Sequence, residues 1–184
     1  MRKPLRLSII ASALALSALL FVPSVASAGV SPGTYPGTLN EANAPSGTHL
    51  QTGEISCTVD TDLSITCSSY ELAGVGHTNA VDLLTARYTA IVDCNNPGKN
   101  RNNPIESHTT DFTASDSDTL TSAKNGRLRV FSLSVDPGSV GQVCPNPNWM
   151  PEIREGTLTL VSFSYTLTFE GFSAPAVEIS QTDP

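Results

Sequence analysis

The run Thr157-Leu158-Thr159-Leu160-Val161-Ser162-Phe163-Ser164-Tyr165-Thr166-Leu167-Thr168-Phe169 decides the fold class. Leu158 and Leu160 are apolar at even positions, then Val161, Phe163, Tyr165, Leu167 and Phe169 continue at odd positions against Ser162, Ser164, Thr166 and Thr168. Side chains alternate between the two faces of a strand, so this pattern predicts one long strand with a wet hydroxyl face and a buried apolar face. The phase slip at Leu160-Val161 predicts a β-bulge, because without one of them an apolar set would face water.

Working outward, Leu84, Ala86, Tyr88, Ala90, Val92 and Cys94 alternate with Thr85, Arg87, Thr89 and Asp93. Val81, Leu84, Tyr88 and Ile91 also fit a helical spacing with Thr78 as a cap, but the unbroken alternation favours a strand over 80–94 with Cys94 facing inward. Asn125-Gly126, between Thr119-Leu120-Thr121-Ser122 and the apolar run 128–135, predicts a type I′ hairpin. Short strands near 105–112 and 176–180 bring the count to seven to nine. The Asn- and Pro-rich stretch 95–104 predicts an exposed loop.

The chain's ends carry different information. Arg2, Lys3 and Arg6 precede an uncharged apolar run from Ile9 to Val22, then Pro23 and Ala26-Ser27-Ala28. A positive start, an apolar stretch shorter than the roughly 20 residues that span a bilayer, and a small-x-small ending predict a cleaved signal peptide over 1–28. The remaining 156 residues hold seven basic and seventeen acidic side chains, which argues against nucleic acid or anionic lipid as a partner. No lipid-carrying cysteine or sorting tail follows, so the expected product is secreted and extracellular, without a stable membrane anchor. The stretch 29–52 has four Gly, three Pro and few apolar residues, and predicts a flexible N-terminal arm before a single domain over 53–184.

Four cysteines, Cys57, Cys67, Cys94 and Cys144, form an even set without paired zinc-type spacing, which predicts two disulfides in an oxidising compartment. A hairpin about Asp62 sets Cys57 opposite Cys67, leaving Cys94 for Cys144. Loop-closure entropy assigns the short bridge ~3 kcal/mol and the long one ~4 kcal/mol. Short strands, frequent turns and inward cysteines together predict an all-β protein: an antiparallel two-sheet sandwich of immunoglobulin-like or jelly-roll type.

Further along, Tyr70-Glu71-Leu72-Ala73-Gly74-Val75-Gly76, Asn79-Ala80, Tyr88-Thr89-Ala90, Lys124-Asn125-Gly126, Cys144-Pro145-Asn146-Pro147-Asn148-Trp149 and Ser162-Phe163-Ser164-Tyr165 stand out. Over most of the chain after Thr52 these stretches resemble a group of small exported actinobacterial proteins with no assigned activity. That resemblance implies export and a β fold, and it carries no catalytic residues.

Chemistry-bearing motifs are sparse. Gly74-Val75-Gly76 lacks the third glycine and the context of a dinucleotide site, and no cofactor is expected. His49 falls in the arm, His77 on a loop rim near Asp82 in sequence, and His108 on a strand surface with Glu106 and Thr110. Asp60 with Asp62, and Asp116 with Asp118, offer oxygens of the kind calcium uses, but turn-forming aspartates at hairpin ends explain them more simply, and no metal is expected. Lys99 and Arg101 form the one basic spot.

Cys144-Pro145-Asn146-Pro147-Asn148-Trp149-Met150-Pro151 is the most distinctive segment. A cysteine tether and three prolines restrict it, so Asn148, Trp149 and Met150 are the candidate binding residues for an extracellular protein or glycan. The competing expectation is that Trp149 packs over the Cys94–Cys144 bridge and seals one end of the sandwich. The reading favoured here is a secreted, non-catalytic binding or surface structural module. A proteinase inhibitor acting through the 144–151 loop comes second and a small extracellular hydrolase third.

Overall fold

The computed structural model describes residues 29–98, 104–138 and 140–183. The stretch 1–28, expected to be a signal peptide, and the basic pair Lys99 and Arg101 lie outside the described residues.

Twelve strands form: β1 (Gly33–Pro36), β2 (His49–Gly53), β3 (Ser56–Val59), β4 (Ile65–Cys67), β5 (Tyr70–Ala73), β6 (Ala80–Asn95), β7 (Glu106–Leu120), β8 (Arg127–Val130), β9 (Leu133–Val135), β10 (Met150–Ile153), β11 (Thr159–Phe169) and β12 (Val177–Thr182). Every pairing is antiparallel, and the described residues include no α-helix, only a 3-10 turn over Glu41–Asn43. The all-β expectation holds, with twelve strands among the described residues where seven to nine were expected. They form three hydrogen-bonded sheets rather than two: β7-β6-β11-β12 with β10 beside β6, then β1-β3-β4-β9, and β2-β5-β8. The extra strands are three to five residues long, too short for alternation to reveal them in the sequence.

β6 is the central strand. One edge pairs continuously with β7, from Ala80↔Leu120 to Cys94↔Glu106, while the other pairs first with β11 and then, from Val92 to Asn95, with β10. Ala80, Asp82, Leu84, Ala86, Tyr88, Ala90, Val92 and Cys94 are all buried, as a strand rather than a helix requires. In β11 the register against β6 slips between Leu160↔Tyr88 and Ser162↔Arg87, so Val161 is the extra residue of the predicted bulge. The bulge puts Leu160 and then Phe163, Tyr165, Leu167 and Phe169 on one buried face.

That face packs into a single hydrophobic cluster with members from all three sheets, among them Ile65, Leu72, Leu128 and Leu133. The Tyr70 and Tyr165 hydroxyls meet at 3.0 Å inside it, and burial pushes both phenols well above their ordinary pKa. The Tyr88 hydroxyl donates to the Leu63 carbonyl at 3.0 Å, tying the β3–β4 turn to the central strand. That turn has the expected register, with Cys57 opposite Cys67, and both expected disulfides, Cys57–Cys67 and Cys94–Cys144, are formed. Asp62 caps the turn by accepting from the Ser64 amide and hydroxyl, which holds its carboxyl below the usual range.

Several expectations are corrected. The stretch 29–52 does not stand apart from the body: β1 pairs with β3, β2 with β5, the Val30 amide donates to the Leu160 carbonyl at 2.8 Å, and Asn43 Nδ2 reaches the Pro175 carbonyl at 2.9 Å. Backbone pairing holds this segment, which a count of apolar side chains does not register. Gly74 marks the contact, since a Cβ there would lie 2.1 Å from the Gly47 carbonyl oxygen.

Asn125-Gly126 is not a type I′ hairpin joining paired strands. Only Gly126 has a positive φ, at 74°, and its amide donates to the Ala123 carbonyl at 2.9 Å, so Lys124 and Asn125 form the turn's centre. The strands on either side enter different sheets, β7 beside β6 and β8 beside β5. The short strand expected near 105–112 runs on to Leu120, so Asp116 and Asp118 sit within β7 rather than at a hairpin end. Asn95, placed in a loop, is the last residue of β6.

Asp82 is an exception on the apolar face. It is fully buried, its Oδ1 accepts from the Asp118 amide at 3.0 Å, and its Oδ2 has no partner among the described residues. Burial, reinforced by the Asp118 and Asp116 carboxylates, pushes its pKa up to about 6. The folded state therefore binds a proton more tightly than the unfolded chain, and stability falls as pH rises from about 4 through 6.

Two predictions follow from this packing. Phe163→Ala or Tyr165→Ala costs about 3 kcal/mol or more, whereas Ser164→Ala or Thr166→Ala costs under about 1 kcal/mol, as read by urea denaturation. Wild-type stability declines by at most about 3 kcal/mol between pH 4 and pH 7 from Asp82 alone, and Asp82→Asn flattens that part of the profile. Parallel profiles for the two proteins would show that Asp82 does not titrate in this window.

Candidate functional site

The end of the molecule at Cys144 to Pro151 is positioned by the far end of β6. β10 pairs with it as Met150↔Asn95, Pro151↔Cys94, Glu152↔Asp93 and Ile153↔Val92. The Cys94–Cys144 bridge, with a Cα–Cα distance of 5.7 Å, anchors the start of the segment to the strand against which its end is paired. The chain from 144 to 150 is thus a loop closed at both ends over one strand terminus.

Inside the loop, prolines at 145 and 147 fix φ, and hydrogen bonds complete the restraint. Asn146 accepts from the Asn148 amide through Oδ1 at 2.9 Å and from the Trp149 amide through its carbonyl at 3.0 Å. The Gln142 side-chain amide spans the loop's mouth, with the carbonyls of Cys144, Asn146 and Trp149 at 3.3, 3.2 and 3.4 Å from Nε2. Two N–H groups are shared among three acceptors, so each contact is weak but all favour one loop shape. Gln142 was not legible as a site residue in the sequence; its position two residues before the cysteine was the only signal.

The three candidate binding residues come together here with different exposures. Asn148 is exposed, Trp149 is half-buried and outside the core cluster, and Met150 is 50% exposed. Cys94 and Cys144 likewise stand outside that cluster. A shallow cavity of about 230 Å³ lies beside them, lined by Asn95, Asn96, Pro97, Met150, Pro151 and Glu152. Its floor is polar where the Asn95 amide donates to Glu152 Oε2 at 3.0 Å and apolar at Met150 and the prolines.

A charged network braces the outer face just behind the loop. Arg154 reaches both Asp93 oxygens, at 2.6 and 3.1 Å, and the Ser107 hydroxyl donates to Asp93 Oδ1 at 2.6 Å. The guanidinium first, and the Ser107 hydroxyl after it, hold the Asp93 carboxyl below its usual range despite some burial.

The histidines do not converge. His49 lies on β2 with Nδ1 2.9 Å from the Gly47 carbonyl, and His77 is exposed between β5 and β6. His108 on β7 faces Glu106, with Nδ1 3.6 Å from Oε1. Among the described residues no histidine hydrogen-bonds a serine hydroxyl. Among the described residues the one cluster of metal-type side chains is Cys94, Glu106 and His108, whose ligand atoms all lie within 4.8 Å of one another, the Cys94 sulfur being held in the bridge to Cys144. Neither aspartate pair forms such a cluster: Asp62 is engaged by Ser64, and Asp116 Oδ2 accepts from the Ser134 amide at 3.1 Å.

No family model matches this chain, and no curated protein or solved structure matches it significantly.

Trp149 is the chain's single tryptophan, so its fluorescence reports this loop without background. Gln142→Ala should increase acrylamide quenching of that emission and speed amide exchange over residues 144–150, while shifting Tm by less than about 4 °C. Unchanged quenching and exchange would show that the disulfide and prolines suffice to fix the loop.

Proposed function

We propose that this chain is a secreted, non-catalytic binding module, a disulfide-braced β-sandwich whose contact surface is the loop end carrying Asn148, Trp149 and Met150. The observation that supports it is the pre-ordering of that loop. Tethered by the bridge and β10, and spanned by Gln142, it has little conformational entropy left to lose, and it presents an aromatic ring and a polarisable thioether together. An aromatic anchor set in a rigid frame is a common centre of recognition. The proposed partner is an extracellular protein or glycan, since the strongly acidic chain disfavours polyanions. Export accords with the signal-like segment 1–28, the two disulfides and the resemblance to small exported actinobacterial proteins.

A proteinase inhibitor is the second reading, favoured by the same exposed, two-end-restrained loop. A panel of secreted serine and metalloproteases and of insoluble polysaccharides (cellulose, chitin and peptidoglycan) separates the readings. The module reading expects co-sedimentation with a polymer, reduced at least about tenfold by Trp149→Ala or Met150→Ala at a Tm within about 4 °C of wild type. Stoichiometric inhibition of a protease would move the assignment to the inhibitor, and release of soluble sugars or peptides to a hydrolase. Binding indifferent to both substitutions would remove the loop from the contact surface.

A further inference from the structure

We propose that the Cys94–Cys144 bridge is the closed form of a redox-conditional zinc site, whose ligands after reduction are Cys94, Cys144, His108 and Glu106. The inference is independent of what the loop binds.

The β6–β7 register creates the donor set. Glu106 lies directly opposite Cys94, and His108, two residues on, shares its face of β7. The donor atoms of Cys94, Glu106 and His108 are mutually within 4.8 Å. Zinc bond lengths of about 2.0–2.3 Å in a tetrahedron place ligand atoms roughly 3.3–3.8 Å apart, so modest side-chain rotations close the set. Cys144, outside that 4.8 Å group, supplies the fourth ligand once reduction frees its Sγ from that of Cys94, its Cα lying 5.7 Å from that of Cys94. Two sulfurs, an imidazole and a carboxylate are donors that zinc accepts. Access comes from the surface, because the His108 and Glu106 side chains are 36% and 41% exposed while Cys94 is buried. The other disulfide, Cys57–Cys67, has no such set beside it among the described residues.

The chemistry balances with a dithiol reductant. Thiolate attack on the bridge gives a mixed disulfide, and the reductant's second thiolate then displaces the protein sulfur. The reductant leaves as its own disulfide, and Cys94 and Cys144 remain as thiols. Zinc binding replaces the two thiol protons with Zn–S bonds and releases them to solvent, while neutral His108 coordinates through one ring nitrogen and Glu106 through a carboxylate oxygen. Reduction alone frees the loop at Cys144. Zinc closes the same 50-residue connection again, so the tether survives under conditions that open the disulfide.

The test uses cobalt(II) as a spectroscopic stand-in and zinc as the competitor. Wild-type protein reduced with dithiothreitol, then freed of it under anaerobic conditions, should develop thiolate-to-cobalt charge transfer and tetrahedral d–d bands that zinc abolishes. Oxidised protein should show neither. Cys144→Ser, which leaves Cys57–Cys67 intact and needs no reductant, should show the charge-transfer band from Cys94 alone. His108→Ala should weaken zinc affinity of the reduced protein by at least about 10–100-fold, since losing even an outer partner of a metal ligand costs that much. Zinc should also raise the Tm of the reduced wild type relative to EDTA. The proposal is overturned if neither protein shows the bands, if His108→Ala binds cobalt and zinc as tightly as the wild type, or if the reduced chain unfolds and zinc does not restore its β-type circular dichroism.

Discussion

The two-sided pairing of β6 is the constraint on which the rest depends. A strand hydrogen-bonded along both edges satisfies nearly all of its backbone groups at once, and this sixteen-residue strand, paired on both edges over most of its length, fixes one inner row from Ala80 to Cys94. The row is dominated by small side chains, with three alanines among its eight residues, which leaves space for the ring-bearing face of β11 and for the two smaller sheets packed against it. Because the register runs unbroken to Cys94, the disulfide, the start of β10 and the loop between them are all placed by the same ladder.

That row also carries the molecule's main energetic compromise. Asp82 interrupts an apolar face with a carboxylate that has one amide for a partner and two acidic neighbours on the adjacent strand. Burying such a group without a full set of hydrogen bonds opposes folding. The Tyr70–Tyr165 hydroxyl pair in the same core is satisfied within itself, whereas Asp82 Oδ2 has no partner among the described residues. β7, which carries Asp116 and the exposed Asp118, is an edge strand, and charged side chains on an edge discourage further strands from adding to it.

At the opposite end of β6 Asp93 and Arg154 are paired on the outward side, while the buried Asn95 keeps Oδ1 without a partner among the described residues. Asp93, Ser107 and Arg154 link β6, β7 and the residue following β10 on the solvent side, while the bridge holds the inner side. Trp149 and Met150 therefore sit on a platform braced on both faces, where conformational adjustment is small.

Much of this was legible from local pattern. The alternation in 157–169 and 84–94, the bulge at Leu160-Val161 and the symmetry of Cys57 and Cys67 about Asp62 each depend on neighbours within one or two strands, and period-two geometry reads them directly. The restrained 144–151 segment was also visible, because proline and a disulfide act on the chain that carries them. Tertiary structure alone decided that residues 29–52 pair onto the body, that β7 and β8 part company at Gly126 to join different sheets, and that Asp82 is buried beside Asp118. It alone brought Glu106 and His108 to Cys94 and laid the Gln142 amide across the loop. These outcomes depend on which strand edges meet. Backbone hydrogen bonds carry no side-chain signature, so a single sequence specifies strands and faces far more directly than it specifies partners.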